Sequence, residues 1–456
     1  MRLLLVCCST ARRDRVVWAE GYSSPPLGLL YLAALARLHG HEVQCLDLMT
    51  ADLTRHDFTS LLTAYRPHVV GLTVYTESVA EARDVAILVK QACGAKVVAG
   101  GPHATFRPES LLSDDGVDYV VTHEGEATLV ELLCHLEYGW PPAGAIRGVA
   151  FRNADGTVRA NQKRPFIQRL DGLPLPALDL VDGGEYTCPL TVLSSRGCPG
   201  RCLFCLSPPM HGARYRVHSA ERLVSEAYYW CRRHGQRVFC VLDDTFTWDR
   251  PRLERFCRLA KKALVGLCWS CYSRVDALTP DLLDMLASAG CIAIQLGIET
   301  GDELVSRQIN KRISLEDAES VVRHAADAGI MPLCSLMIGH YSDTPDTIRR
   351  TIEFGRRLRE RYRAVVVYAM CTPFPGSPIH EHCRRLGVQI HARDWNDFST
   401  TRPFISTRHL DSDQIRHWYF EACQEMSGPQ QGLSEYWKQV MRSRGLSGEG
   451  SGSGAG

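Results

Sequence analysis

The sequence predicts an α/β protein made of two successive strand–helix alternations followed by a smaller, mainly helical region. Three observations carry that prediction. Short apolar runs alternate with amphipathic segments over residues 1 to 142. The same alternation resumes near residue 186 and continues to about 388. Between them lies a connector, residues 143–185, holding the Pro-rich stretch Leu173-Pro174-Leu175-Pro176-Ala177-Leu178, which reads as an extended linker. Residues 389–456 complete the expected division. A chain of 456 residues, 45% hydrophobic and 23% charged, is long enough for two or three globular domains.

In the first alternation Leu3–Cys7 reads as a strand. Pro26 then opens a helix that runs to Leu38 and stops at Gly40, with Leu27, Leu30, Leu35 and Leu38 on one face. Val43–Leu46, Val69–Val74, Val97–Ala99 and Val117–Val121 read as further strands, and Ala80–Ala92 and Thr128–Glu137 as helices. Five strands with crossover helices predict a flavodoxin-like (Rossmann-type) sheet, whose ligand crevice lies at the carboxyl ends of the strands. In the connector, Ala154-Asp155-Gly156-Thr157 between Arg147–Phe151 and Val158–Asn161 is a hairpin signal.

The second alternation offers six strands: Thr191–Ser194, Val238–Leu242, Cys268–Ser273, Ile292–Gly297, Leu333–Ile338 and Val365–Met370. Helical periodicity fills the intervals at Ala220–Arg233, Arg252–Ala263, Pro280–Ala289, Leu315–Ala328 and Asp346–Leu358. Past Val388 the aromatic residues Trp395, Phe398, Trp418, Tyr419, Phe420, Tyr436 and Trp437 read chiefly as packing against the preceding unit. The Gly/Ser-rich end, 447–456, reads as flexible.

Bulk properties exclude several classes. A net charge of +1 argues against a nucleic-acid partner held by bulk electrostatics. No apolar run approaches the roughly 20 residues that span a bilayer, so no membrane partner is expected. The start Met1–Cys8 is too short for a signal peptide. Nineteen cysteines without an export signal imply a reducing, cytoplasmic setting with no disulfide framework.

The chemistry concentrates in Ser194-Ser195-Arg196-Gly197-Cys198-Pro199-Gly200-Arg201-Cys202-Leu203-Phe204-Cys205, directly after the first strand of the second alternation. Three cysteines at C-x3-C-x2-C spacing in a tight turn suit thiolate ligation of an iron–sulfur cube with one iron left free. A structural zinc site would need a fourth ligand, and none follows at an obvious spacing. Incidental buried thiols are the remaining reading. Gly197 and Gly200 let backbone approach a cluster closely. Cys268-Trp269-Ser270-Cys271 lies on a strand, where an i,i+3 pair points to opposite faces, and reads as structural.

This stretch, with Phe204 as its aromatic, resembles the signature of the radical S-adenosylmethionine (SAM) enzymes, in the branch that carries an N-terminal cobalamin-binding domain. The resemblance covers Met1 to about Val388. It implies a flavodoxin-like cobalamin-binding domain and a partial (β/α)6 radical SAM barrel. It also implies a [4Fe-4S] cluster on Cys198, Cys202 and Cys205, whose open iron chelates SAM and cleaves it to a 5′-deoxyadenosyl radical. On the SAM side it points to Phe204, Asp243, Ser273, Arg274, Gly297, Glu299 and Gly339, with Arg274 expected to fork onto the SAM carboxylate. On the cobalamin side it points to Pro26, Gly28, Thr73, Thr76, Gly100, Gly101, His103, Gly125 and Glu126, in the loops at the carboxyl ends of the first unit's strands. The Asp-x-His-x-x-Gly motif that supplies a lower histidine ligand elsewhere is absent. Gly297-Ile298-Glu299-Thr300 and Thr372-Pro373-Phe374-Pro375-Gly376-Ser377 match motifs of the branch, whereas Tyr341-Ser342-Asp343-Thr344-Pro345 departs from its usual Pro-Gly-Glu-Thr.

The expected outcome is cobalamin-dependent C-methylation of a small natural-product-type substrate, with an electron donor such as flavodoxin or ferredoxin. The alternative is radical dehydration or rearrangement of an aminosugar-like diol with the cobalamin domain empty. A non-catalytic cobalamin or iron–sulfur sensor would form no 5′-deoxyadenosine, and a zinc-binding interaction protein would be colourless.

Overall fold

A computed structural model describes residues 1–8, 24–51, 53–113, 116–181, 186, 188, 190–426 and 442. Seven strands form the first sheet: β1 (Arg2–Cys7), β2 (Glu42–Asp47), β3 (Val69–Thr73), β4 (Lys96–Gly100), β5 (Tyr119–Val121), β6 (Val149–Arg152) and β7 (Val158–Ala160). Their order is β2-β1-β3-β4-β5-β6-β7, and the first five are parallel. The order of β1 to β5 is the flavodoxin-like one, with the switch point between β1 and β3. Leu3, Leu4, Leu5 and Val6 are all buried, as the apolar run requires of a strand covered on both faces. The helices Leu27–Leu38 and Glu126–Tyr138 pack together on one face. On the other face lie Val79–Ala92 and Arg55–Tyr65, the latter not anticipated from sequence because only Phe58 and Leu62 of it are buried.

The hairpin read in the connector forms, and β6 pairs antiparallel with β5, so it extends the first sheet at its edge. The Pro-rich segment then crosses back over the first helix, where the Ala177 N–H donates to the Leu30 carbonyl.

The second unit contains β8 (Thr191–Val192), the short pair β9 (Ser195–Arg196) and β10 (Arg216–Val217), then β11 (Val238–Val241), β12 (Cys268–Arg274), β13 (Cys291–Glu299), β14 (Met331–Ile338) and β15 (Val365–Met370). Six of them make an all-parallel sheet in the order β15-β14-β13-β12-β11-β8. Sequential order with a helix after each strand is the topology of a barrel left open between β15 and β8. The five anticipated helices form within one or two residues of their expected starts, the last running Pro345–Tyr362 behind a Thr344 capping box. The C-terminal helix Ser412–Met426 packs on β15 and on Pro345–Tyr362, with Ile415 and Tyr419 buried. Trp395 instead crosses to the first unit and lies edge-on against His103 at 4.8 Å. Tyr436, Trp437 and 447–456 lie outside the described residues.

One buried acid in the barrel makes stability pH-dependent. Glu226, on helix Ala220–Arg233, is paired among the described residues only with Arg222 at 3.3 Å, and burial pushes its carboxyl up to about 7. The folded protein therefore holds a proton there that the unfolded chain releases. The contribution of this one group to stability is greatest below the ordinary glutamate range and falls as pH rises toward 7. Glu226→Gln is expected to be more stable than the wild type at pH 8 by about 2–3 kcal/mol and equally stable at pH 4.5. Urea unfolding at the two pH values checks this. A variant no more stable at pH 8 than the wild type would contradict it.

Candidate active site

The three cysteines sit on a loop that leaves β8, turns through β9 and is clamped from below. Asp243, at the end of β11, accepts from the Ser194 N–H at 2.6 Å, the Ser194 hydroxyl at 2.6 Å and the Ser195 N–H at 2.9 Å. Arg252 reaches the Ser194 carbonyl from the other side at 3.1 Å. Burial pushes the Asp243 carboxyl above its usual range, opposed by Arg252 and the serine donors. The carboxylate expected to receive a ligand thus turns inward and anchors the start of the cluster loop. Its neighbour Asp244 is the exposed one, accepting from the Ser207 hydroxyl at 2.5 Å.

The loop glycines divide their work. A side chain at Gly197, where φ is +87°, would meet the Arg214 and Gly212 carbonyls at 2.7 Å, so this glycine lets two loops touch. A side chain at Gly200 would come within 3.3 Å of Cys198 Sγ and 2.8 Å of Arg274 Nη1. Among the described residues each sulfur has one donor. The Gly200 N–H lies 3.4 Å from Cys198 Sγ, the Ser207 N–H 3.3 Å from Cys205 Sγ, and Arg274 Nη1 3.5 Å from Cys202 Sγ. Burial raises the Cys198 thiol, and the Cys205 thiol to about 12; the three thiols are close enough to act on one another's charge. Among the described residues no three ligating side chains close on a single ion, whereas a cube takes each sulfur on a separate iron. Three donor-supported sulfurs around a loop with no fourth cysteine fit that cube.

Arg274 does not present a free fork. Its Nε and Nη2 bind the Asp276 carboxylate at 2.8 Å each, and Nη2 also reaches the Lys311 carbonyl at 3.2 Å. Lys311 pairs with Glu299 at 3.2 Å, and a side chain at Gly297 would strike both of them. The Glu299 carbonyl meets His340 Nε2 at 3.2 Å, and the His340 ring lies 5.7 Å from that of Phe204. Phe204, Arg274, Gly297 and Glu299 are thus brought together beside the cluster loop. Ser273 is buried, its hydroxyl shared with Thr247. Gly339, where φ is +85°, is held by Asp343, which accepts from the Gly339 and His340 N–H groups at 3.0 and 2.9 Å. The departure at residues 341–345 therefore supplies the carboxylate that fixes the strand end.

A cavity of about 620 Å3 opens where the carboxyl ends of the first sheet meet the barrel, within the usual size range of cofactor pockets. Pro26, Gly28, Thr73, Gly100, Gly101, Gly125 and Glu126 line it, and the barrel contributes Leu193, Arg196, Met210, His211 and Leu242. Thr76 and His103 do not reach it. They face each other at 3.2 Å inside the first unit, with His103 Nε2 also on Ser110 at 2.8 Å, and burial lowers His103 to about 4. Glu126 is committed to Arg196 at 2.5 Å, and Arg196 also lies 3.3 Å from Glu124, which Arg216 meets at 2.7 Å. This buried net ties the cluster loop to the cavity wall.

Tyr75 and Glu77, in the loop Thr73-Val74-Tyr75-Thr76-Glu77 that sequence reading assigned to the corrin, also line the cavity, whereas sequence reasoning missed Asp47, His123 and His211, which line it too. His123 immediately precedes the Glu124-Gly125-Glu126 loop and takes a left-handed backbone, φ +60°, uncommon outside glycine. Its Nδ1 and that of His211 are buried without a hydrogen-bond partner. Burial lowers both histidines, His123 to about 4, so neither carries charge at neutral pH. Two neutral imidazoles with unused nitrogens at the wall of a cavity between units fit a large ligand seated there.

Comparison with known proteins agrees with this layout. Residues 16–133 match the B12 binding domain family and residues 192–355 the radical SAM superfamily. The chain is 32% identical over 422 residues to an uncharacterized methyltransferase of Pyrococcus horikoshii, covering 91% of this chain and 90% of that one. It is 28% identical to the hopanoid C-3 methylase of Methylococcus capsulatus, over 84% and 73% of the two chains. With the anaerobic magnesium-protoporphyrin IX monomethyl ester cyclase of Rubrivivax gelatinosus identity is 26%, over 86% and 71%. Among solved structures, the radical SAM methyltransferase TsrM of Kitasatospora setae, with tryptophan and a SAM analogue bound, superimposes with a TM-score of 0.72 at 20% identity, over 94% and 89%. The cobalamin-dependent radical SAM enzyme OxsB, with aqua-cobalamin bound, gives 0.75 at 18%, over 93% and 66%. No helix among the described residues is long and apolar enough to cross a membrane. A donor-supported cysteine trio on the loop after the first strand of an open parallel barrel, which begins two residues past Arg196 in the wall of a cavity on a flavodoxin-like sheet, together with these relatives, places the chain among the radical SAM enzymes that carry an N-terminal B12-binding domain, with a [4Fe-4S] cluster, SAM and cobalamin as its cofactors.

Proposed function

We propose that the protein methylates an unactivated carbon of a small molecule. When bound, the cluster supplies the electron that splits SAM and cobalamin carries the methyl group to be transferred. Cys198, Cys202 and Cys205 hold the cluster, each through a sulfur that already has an N–H donor. Gly297 leaves room for SAM, and Glu299, oriented by Lys311 and by the His340 contact to its carbonyl, receives a donor from it. The loops at Pro26, Gly28, Thr73, Gly100, Gly101 and Gly125 cradle the corrin, with His123 and His211 offering unused nitrogens from opposite units. The observation that carries the reading is the shared wall: Arg196 lines the cavity and stands two residues before the first cluster cysteine, so both cofactors serve one space. A carrier such as flavodoxin or ferredoxin is the fitting electron donor.

The cyclase relatives favour a second reading, in which the substrate radical reacts without receiving a methyl group. Anaerobic turnover with methyl-deuterated SAM and a panel of candidate substrates separates the two. Methylation predicts 5′-deoxyadenosine together with a product that carries the label. 5′-Deoxyadenosine with an unlabelled product supports the second reading instead.

A further inference from the structure

The donor on Cys202 differs in kind from the other two. Cys198 and Cys205 each accept from a neutral backbone N–H, whereas Cys202 accepts from the guanidinium of Arg274 at 3.5 Å. Arg274 is buried. Its charge is held in place at the far end, because Nε and Nη2 fork onto both oxygens of Asp276 at 2.8 Å and Nη2 touches the Lys311 carbonyl. That leaves Nη1 for the sulfur. The Asp276 side chain is 41% exposed against 10% for Arg274, so the counter-charge is partly solvated while the positive end on the sulfur is not. The bare Cα of Gly200 leaves the space Nη1 occupies, since a Cβ there would sit 2.8 Å from it.

We infer that Arg274 is a positioning residue that raises the reduction potential of the cluster through Cys202. This inference rests on the three thiolates binding the cluster as assigned above. Reduction adds one negative charge to the cluster, and a buried, geometrically fixed cation stabilises the reduced form more than the oxidised one. Hydrogen bonds to cluster sulfurs and net charge are among the levers that set such potentials. A lysine ammonium on its flexible stem cannot fork onto Asp276 and reach the sulfur at once.

Anaerobically reconstituted protein, titrated with reductant and followed by electron paramagnetic resonance, tests the inference. At the wild-type midpoint, Arg274→Gln is expected to cut the reduced-to-oxidised ratio about tenfold, which for one electron is about 59 mV. Arg274→Lys should fall between the two. Gly200→Ala alters no charge and should shift the midpoint the same way by displacing Nη1. A merely structural Arg274 would lower thermal stability or cluster content in Arg274→Gln and leave the midpoint of the retained clusters unmoved. If Arg274→Gln holds no cluster, Arg274→Lys and Gly200→Ala decide: lowered midpoints support the inference and wild-type midpoints overturn it. A wild-type protein that takes up no cluster overturns the cluster assignment, and this inference with it. A cluster present in all variants at one midpoint overturns this inference alone.

Discussion

Cys202→Ala is expected to leave the fold intact and abolish SAM cleavage. The residue lies on a loop outside the parallel sheet, and the β8 to β15 core does not depend on it for packing. On the proposed cluster assignment, its removal leaves two thiolates for a cube that needs three, and it strands Arg274 Nη1, which loses its sulfur acceptor. Substituting a residue that merely supports a metal ligand costs ten- to a hundredfold, so loss of a ligand itself should lower 5′-deoxyadenosine formation by about a hundredfold or more. Iron content, the broad iron–sulfur absorbance and 5′-deoxyadenosine yield are the measurements, with far-ultraviolet circular dichroism as the check on folding. A variant that keeps wild-type iron and still yields the nucleoside would remove Cys202 from the cluster.

Arg196→Met should cause a large loss of stability although the residue lies outside the hydrophobic cores. Arg196 and Glu126 are each 8% exposed at the side chain, and Glu124 is 6% exposed. Without Arg196, Glu124 retains Arg216 and the Ile167 N–H, but Glu126 keeps no counter-charge in the net. Leaving one member of a buried pair alone costs about 3–5 kcal/mol, because the remaining charge stays desolvated. The double variant Arg196→Met with Glu126→Gln removes both charges and is expected to recover much of that loss. Urea midpoints of the three proteins decide the matter, since a single variant as stable as the wild type would mean the net is dispensable. Cobalamin uptake should fall in the single variant, because Glu126 and Arg196 line the cavity.

The chain's organisation is legible where local chemistry forces a single answer. The run Leu3–Val6 can only be a doubly covered strand, and the cysteine spacing with its glycines marks the loop that would ligate a cluster. Choices between distant partners are not written locally. An aspartate at a strand end reads the same whether it meets a ligand or, like Asp243, the amides of Ser194 and Ser195. Arg274 reads as a carboxylate fork, and only the turn that follows shows the carboxylate to be Asp276. His123 and His211 come from different units, so no spacing in the sequence joins them. His103 reads as polar and loop-borne, yet it sits in the short helix Pro102–Phe106 and Trp395 covers it from much later in the chain. The helix Arg55–Tyr65 escaped because two buried residues make too weak a stripe to count.

The loop before the cysteines is fastened on two sides, by Asp243 within the barrel and by Glu124 and Glu126 across the domain boundary. A graft of this barrel onto a foreign B12 module would therefore have to bring its own acidic pair. Without one, Arg196 would face the seam uncompensated and the thiolate loop would lose one of its two footings. Chimeras assembled at the linker alone should misload iron, and those that carry Glu124-Gly125-Glu126 across with the barrel should not.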